Sequence, residues 1–202
     1  MRFTLRTGGE RTPVTTPVLG RMGVHNALAG AAVGAAVGMT PAAIATALGA
    51  GFSAPHRTTL LTVGPWTILD DSYNASPDAM VATLELLATL PGRHVAVLGE
   101  MLELGPASSQ AHADVGTAAA RVAEVLVTVG AGGHAMAEAA RAAGVPAALL
   151  AEAEDADEAL LVLLPRLAPG DAILVKGSRG VGLDRLVDRL VSLAAPGSGS
   201  RA

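Results

Sequence analysis

The sequence predicts an α/β protein: a mostly parallel sheet with helices on both faces. Two observations carry this. Beyond Gly51, β-rich segments alternate with helical ones at the spacing of βαβ units. Turn pairs (Gly64-Pro65, Pro91-Gly92, Pro169-Gly170) punctuate that alternation.

The elements follow in order. Residues 22–56 contain no Asp, Glu, Lys or Arg, and 24–39 is a run rich in Ala, Gly, Val and Leu that Thr40-Pro41 stops. Gly30, Gly34 and Gly38 form overlapping G-x-x-x-G patterns, which suit a membrane-spanning dimer helix or a tightly packed helix of a globular unit. The run is shorter than the ~20 residues of a span, which favours the packed helix. Thr40 as N-cap and Pro41 at the first helical position open a helix over 41–48, which Gly49 ends. Strands are expected over 58–63 and 66–70, then a helix over 77–89 capped by Ser76. A strand over 94–98, a helix over 109–121, a strand over 125–129 and a helix over 133–142 follow. A short strand over 146–150 leads to a helix over 155–167, whose first turn holds acids that suit the helix dipole. A strand over 172–175 and a helix over 182–193 complete the fold, and a frayed tail is expected from Pro196.

Composition narrows the function. Half of the 202 residues are apolar, so a core is available and global disorder is excluded. The four aromatics, Phe3, Phe52, Trp66 and Tyr73, are too few for a base-stacking platform, and a net charge of −4 disfavours a nucleic-acid or membrane surface. Without cysteine there is no disulfide, thiolate zinc site or cysteine nucleophile. The start is polar and arginine-dotted, unlike a secretory signal, so a cytoplasmic protein is expected. Residues 1–56 carry four arginines and one glutamate, whereas 57–202 carry ten basic and seventeen acidic residues, which points to two units. The single lysine, Lys176, lies between Val175 and Gly177, so the chain contains no G-x-x-x-x-G-K-[ST] phosphate loop. No G-x-S-x-G elbow and no zinc-type histidine pair is present.

Ligands of a parallel sheet gather at the carboxyl ends of its strands. Three such segments stand out. Asp70-Asp71-Ser72-Tyr73-Asn74-Ala75-Ser76-Pro77-Asp78 offers carboxylates for a ribose or a cation, or serves as a capped turn. Lys176-Gly177-Ser178-Arg179-Gly180 suits a phosphate or carboxylate, or is a basic solvated loop. Gly130-Ala131-Gly132-Gly133-His134-Ala135 matches G-x-G-x-x-[GA] between a strand and a helix, with Glu152 about twenty residues on. This raises an alternative function, a stand-alone dinucleotide-binding module. His112, with Glu103 and Gln110 near it in sequence, faces the cleft or, as the safer expectation, solvent.

Together these segments resemble the Mur ligases, the ATP-dependent amide-forming enzymes of peptidoglycan synthesis. Asp70-Asp71-Ser-Tyr-Asn-Ala-Ser-Pro-Asp78 resembles the signature D-D-S-Y-N-A-N-P. Val97-Leu-Gly-Glu-Met-Leu-Glu-Leu-Gly105, followed by His112 and Val115-Gly116, resembles V-L-G-D-M-x-E-L-G…H…V-G, and Lys176-Gly-Ser-Arg179 matches K-G-S-R. The resemblance runs from about residue 18 to 194 and is to the branch that adds D-alanyl-D-alanine to UDP-N-acetylmuramoyl-tripeptide. It implies that residues 1–54 end a central ATPase domain as a short helical remnant, that 55–195 form a C-terminal Rossmann-like domain, and that 196–202 are a flexible tail. It implies an acyl phosphate mechanism with ATP and Mg2+, the metal ligands and phosphate loop lying in a missing N-terminal portion. The chain alone is then expected to be inactive, with no metal site and no catalytic residue of its own. The intact enzyme is expected to be a cytoplasmic monomer with no nucleic-acid partner and no membrane insertion.

Residue by residue, the resemblance implies ATP contacts at Asn26, Arg57 and Asp71. Asn26 ends an H-N-x-x-N adenine motif in which Met22 and Gly23 replace the His-Asn pair. Arg57 would reach the γ-phosphate and Asp71 the ribose. Lys176, Ser178 and Arg179, with Asn74 and Glu103, would face the D-alanyl-D-alanine cleft, and closure across a hinge near 51–57 would accompany turnover.

Overall fold

The computed structural model describes residues 1–7, 9–51 and 54–194. The expected tail, and Phe52 and Ser53 of the expected hinge, lie outside the described residues. The chain divides into two compact units, Met1–Ala54 and Pro55–Ala202.

The first unit is not purely helical. A hairpin of β1 (Arg2–Thr7) and β2 (Glu10–Thr15) precedes α1 (Gly20–Ala36) and α2 (Pro41–Ala50). Each strand buries a single apolar side chain, Leu5 or Val14, while the arginines stay exposed, so the segment carries little apolar signal. Those two residues meet Ala31 and Ile44 in a small core. Thr40 caps α2 by accepting from the Ala43 N–H at 3.2 Å, with Pro41 first in the helix. Of the G-x-x-x-G glycines only Gly34 is needed for close packing, since a Cβ there would lie 3.1 Å from Ile44. Among the described residues no helix is long and apolar enough to cross a membrane.

The second unit holds a six-stranded sheet in the order β3-β4-β8-β5-β6-β7. β3 (Thr59–Val63) pairs antiparallel with β4 (Trp66–Asp71) across the Gly64-Pro65 turn. β5 (His94–Gly99), β6 (Val125–Val129), β7 (Leu150–Ala153) and β8 (Ala172–Lys176) continue in parallel. The connecting helices are α3 (Pro77–Leu87), α4 (Ser108–Ala119), α5 (Gly133–Ala142), α6 (Ala156–Leu163) and α7 (Asp184–Ala194). Odd-numbered residues of β5 and β6, with Ile68, Ile173 and Val175, pack against α6 and α7. The alternate residues face the layer of α3, α4 and α5, because side chains along a strand change face at every step.

Two expected elements move. The strand placed at 146–150 begins only at Leu150, after a 3-10 turn over Ala147–Leu149, and pairs Leu126 with Leu150. Leu149 and Leu150 are apolar in either conformation, so the local pattern did not separate them. The helix placed at 155–167 stops at Leu163, where Pro165 sits in a 3-10 turn. Asp155 is its N-cap, accepting from the Asp157 and Glu158 N–H groups at 2.9 Å. Ser76 occupies the N-cap position of α3 without a side-chain cap bond.

The topology places the site. The chain runs outward from β5 through β6 to β7, then returns to insert β8 between β4 and β5. The carboxyl ends of β4, β8 and β5 therefore lie side by side where the strand order reverses, the position at which open α/β sheets bind ligands.

Candidate functional site

The two aspartates at the end of β4 point to opposite faces of the sheet. Asp70, on the face of α7, accepts from the Ser72 hydroxyl at 2.7 Å and the Ser72 N–H at 3.1 Å, and meets His56 Nδ1 at 2.8 Å. Asp71, on the face of α3, is filled by the chain's own donors. Its Oδ1 accepts from the Thr58 N–H at 2.9 Å and hydroxyl at 3.1 Å. Its Oδ2 accepts from the Thr83 hydroxyl at 3.1 Å and from Lys176. A ribose hydroxyl would reach Asp71 only in competition with these donors.

Lys176 ends β8 and is buried, with 3% of its side chain exposed. Besides Asp71 it donates to the Asn74 carbonyl at 2.9 Å, so one cation orders the turn after β4. Ser178 is buried as well; its hydroxyl accepts from the Leu102 N–H at 2.9 Å, and its N–H donates to the Glu100 carbonyl at 3.1 Å. The loops after β5 and β8 thus become one body. Gly99 and Gly177 permit this approach, since a Cβ on either would lie 3.1 Å from the other's Cα.

Outside this buried frame lies an exposed cationic pair. The Arg57 guanidinium sits 4.3 Å from the centroid of the Tyr73 ring and that of Arg179 5.0 Å. Arg179 also donates to the Tyr73 hydroxyl at 3.0 Å. That hydrogen bond and the Arg179 charge, with Arg57 adding, hold the Tyr73 phenol below its usual range. Arg57 is flanked by His56 and Thr58 at φ 58° and 48°, left-handed values that β-branched Thr rarely adopts. Asp70, Asp71 and the Tyr73 N–H, which donates to the His56 carbonyl at 3.0 Å, hold this segment in place. Two adjacent guanidiniums suit an anion such as a phosphate or carboxylate.

Arg57, Asp71, Asn74, Lys176, Ser178 and Arg179 therefore come together at one end of the sheet. Asn74 is exposed there, and Glu103 is exposed on the loop after β5 with φ 65°. Asn26 lies exposed on α1, in the other unit. His56 carried no signal beyond its position beside Arg57. Asp70 and Tyr73 belong to the segment 70–78 singled out in the sequence, Asp70 as one of its carboxylates and Tyr73 with no role of its own. Among the described residues no group of three or more His, Cys, Asp or Glu is placed to hold a metal ion.

His112 corrects the surface expectation. It is 1% exposed, its Nε2 accepts from the Met101 N–H at 2.8 Å, and its Nδ1–H donates to the Ser108 carbonyl at 2.6 Å. Gln110 turns outward to Asp114 at 2.8 Å. The dinucleotide reading of Gly130–Ala135 is corrected too. Glu100 fills the glycine loop, accepting from the Gly132 N–H at 3.1 Å where a pyrophosphate would sit. A Cβ on Gly132 would lie 2.3 Å from the His112 ring, so this glycine makes room for the histidine. Glu152, in place of a ribose ligand, pairs with His134 at 2.9 Å and Arg141 at 3.2 Å.

The His134–Glu152 pair has a pH consequence. The hydrogen bond to Glu152, then the charges of Glu152 and Glu138, raise His134 above its ordinary value of 6.5. Its stabilising contribution is complete below about pH 6.5 and is lost as pH rises through the raised folded value. An NMR titration of the His134 ring should give a midpoint above that of an unstructured histidine, and Glu152→Gln should lower it. An unchanged midpoint in Glu152→Gln would refute the pairing.

The chain matches the family model described as Mur ligase, glutamate ligase domain, over residues 56–179. It is 39% identical to a UDP-N-acetylmuramoyl-tripeptide–D-alanyl-D-alanine ligase of Mycobacterium leprae, over 94% of this chain and 41% of the relative. The ligase of the same name from Escherichia coli is 36% identical, over 93% of this chain and 41% of the relative. In structure the chain is similar to MurF from Acinetobacter baumannii, with a TM-score of 0.82 and 30% identity over 95% of this chain and 42% of that one. The chain thus spans about two fifths of the length of these relatives. With its three motifs gathered at the strand ends and its glycine loop filled from within, the chain belongs to the Mur ligase family.

Proposed function

We propose that the chain is the back portion of an ATP-dependent carbon–nitrogen ligase that joins D-alanyl-D-alanine to UDP-N-acetylmuramoyl-tripeptide in peptidoglycan synthesis. The observation that carries this reading is the convergence of Asp71, Lys176 and the Gly99 loop at the reversal point of the sheet. On this reading residues 1–54 end the central ATP-binding domain, 55–195 are the C-terminal Rossmann-like domain, and 196–202 follow as a tail. The intact enzyme would be a cytoplasmic monomer.

The chemistry balances as two steps. The tripeptide carboxylate attacks the γ-phosphorus of ATP, giving an acyl phosphate and ADP. The amine of D-alanyl-D-alanine then attacks the acyl carbon, and the amide forms as phosphate leaves with the amine's proton. This chain's residues position and neutralise charge rather than move protons. Arg57 meets the transferring phosphate, and Arg179 lies beside it for a phosphate or the dipeptide carboxylate. Asn74 and Glu103 are the exposed polar groups at the dipeptide cleft. Lys176 and Ser178 serve it by ordering the loops. Asp71 serves the nucleotide chiefly by holding Thr58, and so the Arg57 segment. The exposed arginine pair fits a polyphosphate; Asn26 would meet the adenine, and Mg2+, which neutralises phosphate charge when bound, would have its ligands outside these 202 residues.

A chimera tests this reading: the front of the Escherichia coli ligase joined to this chain in place of its own back portion. It should convert the tripeptide substrate to the pentapeptide with release of phosphate, and Arg57→Ala should lower turnover by about 10²-fold or more. The 202-residue chain alone should not hydrolyse ATP. A folded chimera that makes no pentapeptide, or ATP turnover by the chain alone, would overturn the proposal.

A further inference from the structure

Arg57 and Arg179 are separated by more than a hundred residues, yet their guanidiniums share one aromatic ring. Two like charges this close repel, and both side chains are exposed, so each would gain rotamer freedom by moving apart. Something must hold them together. Tyr73 offers three restraints: a ring that both guanidiniums lie against, a hydroxyl for Arg179, and an N–H bonded to the His56 carbonyl next to Arg57. The ring quadrupole attracts a cation, which offsets part of the repulsion. Its own backbone follows Asp70 and Asp71, which anchor His56 and Thr58 on either side of Arg57. Tyr73 therefore stands on the frame that aims the first arginine and reaches out to the second.

We infer that Tyr73 is a positioning residue that holds Arg57 and Arg179 as a single paired cation site. The inference rests on the proposed function only for what the pair binds; the pairing itself is a property of this chain. The phenol touches no reacting atom. Its ring lies against both guanidiniums and its hydroxyl adds a hydrogen bond to Arg179, so the hydroxyl can be removed while the shared ring stays.

The test uses the full 202-residue chain and arginine side-chain NMR, with the Nε–H signals of Arg57 and Arg179 assigned from the Lys variants. In the unaltered protein both signals should show restricted motion. Tyr73→Phe should loosen Arg179 more than Arg57, because it removes the hydroxyl and keeps the ring, whereas Tyr73→Leu should free both while the backbone amide spectrum stays folded. Order of both arginines in Tyr73→Leu unchanged from the unaltered protein, or free motion of both in the unaltered chain, would overturn the inference. Because Tyr73 is the only tyrosine, its phenol absorbance gives a second reading. Arg179→Ala should raise the titration midpoint more than Arg57→Ala, and no change in either variant would count against the pairing. Inorganic pyrophosphate then probes the ligand. Tyr73→Leu should weaken its binding several-fold, and Arg57→Ala should cost less in the Tyr73→Leu background than alone. Strictly additive losses would refute positioning. Absence of pyrophosphate binding by the unaltered chain would count against the phosphate role of Arg57, while the NMR result still decides the role of Tyr73.

Discussion

Asp71→Ala is expected to destabilise the Pro55–Ala202 unit by about 3–5 kcal/mol, the usual cost of removing one partner from a buried ion pair. The Lys176 side chain is 3% exposed and that of Asp71 13%, so neither charge has much water to fall back on. The substitution strands the lysine and also removes the acceptor of the Thr58 N–H and hydroxyl, while the Thr83 hydroxyl keeps the Ala79 carbonyl. Trp66, the only tryptophan, lies in β4 and reports this unit's urea unfolding by fluorescence. Lys176→Met added to Asp71→Asn should cost less than it does in the unaltered protein, because it removes a stranded charge rather than a paired one. A loss below about 1 kcal/mol for Asp71→Ala would show that the pair is not energetically buried. The same variant should damage the proposed phosphate contact, since Asp71 anchors Thr58 beside Arg57.

His112→Ala is the second large effect, about 3 kcal/mol. The ring is sealed between the Met101 N–H, the Ser108 carbonyl and Gly132. Truncation leaves a buried donor and acceptor unpaired, each costing about 1–3 kcal/mol if water does not enter, and opens a cavity. His112→Phe keeps most of the volume and isolates the hydrogen-bond part. Hydrogen exchange at the Met101 amide should accelerate in both variants. An unfolding midpoint close to that of the unaltered protein, with Met101 still protected, would disprove the structural role. NAD should shift neither midpoint, because Glu100 and His112 already occupy the surroundings of the glycine loop.

Much of the second unit was legible along the chain. The strands of β5, β6 and β8 carry near-continuous apolar runs bounded by turn residues, and α5 and β6 fall at the residues expected. These signals are local. The β1–β2 hairpin was not legible, because one buried residue per strand leaves no alternation to read against arginine and threonine. His112 looked like a surface residue because its neighbours on α4, Gln110 and Asp114, are polar and exposed. The glycine loop looked like a cofactor site because glycine records only a need for space, not what fills it.

Local residue patterns were enough for the class of fold, the three polar segments at the strand ends, the absence of a phosphate loop and the family resemblance. Each depends on residue type and short-range spacing, which the chain displays directly. The folded chain was needed to show that β8 enters between β4 and β5, bringing Lys176 to Asp71 and Arg179 to Tyr73. It alone decided that Asp71 is filled by internal donors, that Glu100 closes the glycine loop, and that Arg57 shares its ring with a second arginine. Strand order and partner choice arise from burial between segments far apart in sequence, and no local pattern encodes which segment will be the neighbour.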